Sequence, residues 1–118
     1  MKRSWLKRTN PERRKTELER QFGDLAAFVR WEPCAVCGQW SDPAHVRARR
    51  NAGAWRKLAD GRVVGNIVPF CREHHDQQGN IGIATFEQRH GLDLEDLAEK
   101  IGERCKAGEE PTLLAVPW

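Results

Sequence analysis

Apolar positions along the chain are sparse, and their spacing sorts into a few elements. Leu18, Phe22, Leu25 and Val29 recur at steps of four, three and four, one stripe along a helix. Asn10 as N-cap and Pro11 at the first helical position set its start, and Glu32-Pro33 stops it after about Arg30. The turn-initiated stretch Asp42-Pro43-Ala44-His45-Val46 can open a strand. From Arg47 to Gly61 the pattern gives a long basic loop, with one helical turn around Trp55–Leu58. Arg62 to Val68 is rich in β-branched residues and predicts the main strand, closed by Pro69. A short helix from Cys71 to about Gln78 is stopped by Gly79-Asn80, and a second helical piece, Thr85–His90, ends at Gly91. Asp93 then caps a final helix whose inner face carries Leu94, Leu97, Ala98 and Ile101. The expected fold is a small α+β domain.

With 118 residues, of which 39% are hydrophobic and 31% charged, the chain can bury only a modest core. The boundaries expected are a basic arm over 1–10, one domain over 11–107 and an irregular tail over 108–118. A metal staple would supply what the core lacks. The cysteines fit that role: Cys34-x2-Cys37 and Cys71-x2-His74 are two pairs with the bite of a tetrahedral metal, and 33 residues lie between them. Structural zinc on Cys34, Cys37, Cys71 and His74 is the expectation, with Gly38 free to take the positive φ of a tight knuckle. Cys105 stands apart in a helical pattern and reads as a small apolar residue. No apolar run approaches the roughly 20 residues of a membrane span, and Met1–Trp5 lack the apolar stretch of a secretory signal, so a cytoplasmic protein is expected.

The formal charge of +3 conceals an asymmetry. Residues 1–15 hold seven Lys and Arg, Lys7 and Arg8 among them, against Glu12 alone. Residues 47–57 hold Arg47, Arg49, Arg50, Arg56 and Lys57 with no acid, whereas eight acids face four bases from Glu87 onward. Basic segments beside a metal site suit a phosphate backbone, so a nucleic acid is the expected partner and Trp55, inside the basic loop, a candidate to stack on a base.

His75 directly follows the last zinc ligand. Consecutive helical side chains diverge by about 100°, so His74 and His75 cannot both serve one ion. The first strand, second strand and helix would bring His45, Asn66 and His75 to a common place. The carrying residues are Cys34-x2-Cys37-Gly38, Ala44-His45-Val46, Asn66-Ile67-Val68-Pro69-Phe70-Cys71 and x2-His74-His75, followed by Ile83-x2-Phe86-Glu87-x2-His90-Gly91. Over roughly residues 33–91 the chain resembles the HNH endonucleases, the ββα-metal nucleases, and especially their zinc-bearing, phage-type members. The resemblance implies a metal-dependent endonuclease that hydrolyses DNA, in a bacterial host cell if phage-encoded. It also implies His45 as general base, Asn66 or its neighbourhood as orienter, and His75 as ligand of a catalytic divalent ion such as Mg, Mn or Ni. Asp42 or the neighbourhood of His45 is the nearest source of a second ligand. Arg47, Arg49, Arg50, Lys7 and Arg8 would grip phosphates.

Two positions depart from that pattern. Ala44 stands where many members carry an acid or a second histidine, and Gly79 where several phage-type relatives have a further histidine. The alternative is therefore a weak or inactive zinc module that binds DNA or a recombination or packaging protein.

Overall fold

The computed structural model describes residues 17–47 and 53–115, and over these the chain is a mixed α+β domain. Its elements run α1 Glu17–Phe22, α2 Leu25–Arg30, β1 Asp42–His45, β2 Trp55–Lys57, β3 Val63–Gly65, β4 Ile67–Phe70, α3 Arg72–Ile81, α4 Ile83–His90, α5 Leu94–Lys106 and α6 Thr112–Ala115. The helix start at Asn10-Pro11, the arm with Lys7 and Arg8, and Arg49 and Arg50 of the basic loop lie outside the described residues.

The first apolar stripe forms two helices rather than one. Gly23 takes φ of +109°, which ends α1, and Asp24 restarts the chain by accepting the Ala27 N–H at 3.2 Å. The Trp55 indole donates to the Gly23 carbonyl at 2.8 Å, fixing the break against β2. Trp55 is only 4% exposed and so belongs to the core, not to a base-stacking surface. Its segment is β2, not the helical turn that spacing suggested, because Trp55, Arg56 and Lys57 pair antiparallel with Gly65, Val64 and Val63.

The predicted strand over Arg62–Val68 is likewise divided, at Asn66. β3 pairs with β2, and β4 pairs antiparallel with β1 in the register Asp42 to Phe70, Pro43 to Pro69, Ala44 to Val68 and His45 to Ile67. Pro69 lies inside the strand instead of closing it. Its carbonyl points away from β1, to the Ala35 N–H at 2.9 Å, so Pro69 and Pro43 share a pair in which no N–H is asked to bridge the strands.

β4 is buried on both faces. Val68 and Phe70 join Ala44, Phe86, Leu94 and Ala98 in one core; Ile67 joins Leu25, Phe28, Val29, Trp55, Val63 and Ile101 in another. α5 closes over β3 at very short range: a Cβ on Gly65 would lie 2.4 Å from the Ala98 carbonyl, and one on Gly102 would lie 2.8 Å from the Gly65 nitrogen. Its inner face is the expected one, with Leu94, Ala98 and Ile101 buried and Asp93 accepting the Asp96 N–H. The C-terminal stretch holds the single turn α6, docked because buried Glu32 accepts from Thr112 N and Oγ1 and from both Nη atoms of Arg104. Cys105 is half-buried beside the second core, as its apolar reading required.

α3 runs through Gly79 to Ile81, past its expected stop, and is the least apolar of the longer helices. Its one buried residue is Gln78. Polar contacts hold it on the domain together with Ile81, which packs partly buried against the first core.

Candidate functional site

The knuckle is built by backbone before any metal is considered. Cys34 N–H donates to the Gln39 carbonyl at 2.8 Å and Gly38 N–H to the Cys34 carbonyl at 2.9 Å, with Gly38 at φ +78° as expected. The Ala35 bond to Pro69 hangs this loop on β4, and β4 leads straight into Cys71, the N-cap of α3. Three residues on, His74 turns back toward the knuckle. The ligand atoms of Cys34, Cys37, Cys71 and His74 all lie within 4.8 Å of one another.

The spacings match a metal site. Zinc with Zn–S bonds of about 2.3 Å in a tetrahedron sets neighbouring sulfurs about 3.8 Å apart. Cys37 Sγ and Cys71 Sγ are 3.7 Å apart, and His74 Nδ1 lies 3.2 Å from Cys71 Sγ and 3.7 Å from Cys34 Sγ. Three soft thiolates and an imidazole are a donor set for zinc. Burial raises the Cys34 thiol pKa, but backbone hydrogen bonds from Cys71, Cys37 and Val36 outweigh it and bring it down to about 6. For exposed Cys37, a backbone bond from Gln39 lowers the pKa; desolvation and the neighbouring Cys34 and Cys71 sulfurs overcome that and raise it. One thiol ionises readily while its neighbour resists, as expected where sulfurs crowd together. His90, the last residue of α4, sets its ring edge-on to His74 at 5.6 Å and is itself held by Gln77 at 2.7 Å.

The second group of residues lies at the other end of β1. His45 ends that strand with its side chain exposed. Its carbonyl points away from β4 and accepts from Gln78 Nε2 of α3 at 3.2 Å. His75 is half-buried on the same helix, and Gln78, three residues on, projects about 60° around the helix from it. The bond from Gln78 therefore ties the backbone that carries His45 to the helix that carries His75. Asn66 is 1% exposed, and all its polar side-chain atoms are spent on the loop. Oδ1 accepts Arg47 N–H at 3.1 Å, while Nδ2 donates to the carbonyls of Arg47 and Gly53, each at 3.2 Å. It braces the chain that follows His45, a positioning role.

Asp42 is not brought to this place. It sits three residues from His45 along β1, and strand alternation sends the two side chains to opposite faces. Among the described residues, no second group of three or more His, Cys, Asp or Glu side chains could hold an ion. Arg47, expected to grip phosphate, pairs with Glu95 of α5. Gln78 and Glu95 were missed as site residues. The place of Gln78 in the turn after His74-His75 was the available signal for the first; nothing local announced the second.

No protein-family model matches the chain, and no solved structure matches it. Over 86 residues it is 33% identical to the uncharacterized protein YdfU of Escherichia coli (strain K12). The match covers 72% of this chain but only 22% of that relative's length. No helix among the described residues is long and apolar enough to cross a membrane.

Proposed function

We propose that the chain is an HNH-type, ββα-metal endonuclease domain that hydrolyses phosphodiester bonds in DNA. The observation that carries the reading is the junction of β1, β4 and α3: an antiparallel pair runs into a helix, and Gln78 joins His45's backbone to that helix beside His75. Zinc on Cys34, Cys37, Cys71 and His74 would hold the helix to the knuckle. His45, exposed at the strand end, takes a proton from water as the water oxygen attacks phosphorus and the 3′ oxygen departs. Asn66 holds the backbone after His45 in place. His75 offers one imidazole to a divalent ion, which would offset charge on the scissile phosphate; the described residues add no second protein ligand. A phage origin and a recombination or packaging partner belong to the same proposal.

The test is nicking of supercoiled plasmid with Mg, Mn or Ni against chelator. Nicking that needs a divalent ion and fails in His45→Ala and His75→Ala supports the reading. A second reading, a non-catalytic zinc module that binds DNA, is favoured by the lone imidazole at His75 and by the side of β1 that Asp42 takes. DNA binding without nicking under any of the three ions would select it.

A further inference from the structure

Resting on the DNA reading above, we infer that Arg47 and Arg56 form a phosphate-binding pair and that Glu95 occupies it in the free protein, in place of a DNA phosphate. Arg47 follows β1 and Arg56 lies in β2, so the two flank the basic loop, yet both reach one carboxylate. Arg47 Nη2 binds Glu95 Oε1, and Arg56 Nη2 lies 4.0 Å from Glu95 Oε2. Among the described residues two cations share a single anion here, which leaves one positive charge unmatched.

The other acids near this face already have cations of their own. Glu99 faces Arg62, which also binds Asp60, and Asp96 is paired with Lys100. Among the described residues, Glu95 alone serves two arginines from other elements. Arg56 is also incompletely satisfied: its Nε is buried and has no hydrogen-bond partner among the described residues. A carboxylate has two acceptor oxygens and divides them here between two guanidinium forks. A phosphodiester can offer two non-bridging oxygens and, from adjacent nucleotides, more, so it can serve the exposed ends of both guanidinium groups in place of the carboxylate.

The placement is firm where it must be and weak where it must yield. Arg47 has both its N–H and its carbonyl clamped by buried Asn66, so its side chain starts from a fixed root two residues after His45. The Arg47–Glu95 pair itself is open to solvent, with side chains 50% and 44% exposed. Ion pairs of that kind contribute little to folding, so a polyanion can exchange for the carboxylate at small cost.

The test uses a fluorescein-labelled 20-base-pair duplex and anisotropy over a salt series, with calcium in place of a cleaving ion. Glu95→Gln should bind the duplex about three- to tenfold more tightly than the wild-type chain. Arg47→Gln and Arg56→Gln should each weaken binding about tenfold and flatten the salt dependence by about one counterion. Arg62→Gln, on the neighbouring pair, should leave affinity unchanged. Melting temperature guards against a misfolded variant, and Glu95→Asp, with its shorter reach, should tighten binding in the same direction if Glu95→Gln does not fold. Unchanged or weaker binding in folded Glu95 variants, while the wild-type chain binds and nicks, overturns this inference alone. If neither the wild-type chain nor the Glu95 variants bind the duplex, the inference falls together with the DNA reading.

Discussion

The two ends of the β1–β4 pair are organised in opposite ways. At the knuckle end, four side chains turn their donor atoms toward one point, within 4.8 Å of one another, and the backbone around them merely frames it. At the His45 end, the buried side chains spend their polar atoms on backbone: Gln78 on the His45 carbonyl, Asn66 on Arg47 and Gly53. The histidine there is left exposed. One end is shaped to hold an ion in a closed shell, the other to present groups on a braced frame. The difference teaches that α3 serves both. It carries His74, three residues after Cys71, at one end and His75 with Gln78 at the other, and Gln78 is its one buried residue.

The comparison breaks most visibly if the closed end is not a metal site. Cys71→Ser should cut zinc from about one per chain to a small fraction and lower the melting temperature by roughly 15 °C or more, because structural zinc energy is folding energy. Metal analysis and calorimetry on the purified chain read both; unchanged values would remove the metal from the account. His74→Ala should behave like Cys71→Ser, whereas His75→Ala should keep zinc and stability and lose about 10²-fold or more of any nicking. A reversal of that pattern would mean the two histidines exchange roles.

At the braced end the expected effects are smaller. Asn66→Ala removes a side chain that makes three hydrogen bonds to the loop backbone and should cost about 2–4 kcal/mol, measured by denaturant unfolding, without loss of zinc. Zinc loss in that variant would show that the two ends are one cooperative unit. Away from both, Arg104→Ala strips the largely buried Glu32 carboxylate of its guanidinium and should cost about 2–3 kcal/mol, discounted because Arg104 is itself 31% exposed. Asp42→Asn should change nicking and stability least, by less than about twofold and about 0.5 kcal/mol. A large loss of nicking would put Asp42 at the site despite the face of β1 it occupies.

Chemistry with local spacing was legible from residues alone. Cys34-x2-Cys37 and Cys71-x2-His74 are pairs whose bite is set by a few bonds of chain, so the four candidate ligands, the Gly38 turn and the cap at Asp93 follow from short-range geometry. The helical stripe of α5 and the α+β class were legible for the same reason: periodicity is a local property. What only the tertiary structure decided rests on contacts between distant segments. Gly23 became a helix break because Trp55 and Cys105 pack at that point, and Trp55 left the surface in doing so. Asn66 split one apparent strand into β3 and β4 because its side chain is held by Arg47 and Gly53, which lie far back along the chain. Pro69 entered a strand because its carbonyl was needed by the knuckle, while its missing N–H faced no partner. Arg47 and Arg56 read as free cations in the sequence, and Glu95 reached them only because α5 folds back across β3. Spacing along the chain fixes which groups can meet locally; which distant charge or carbonyl they meet is set by the packing of whole elements.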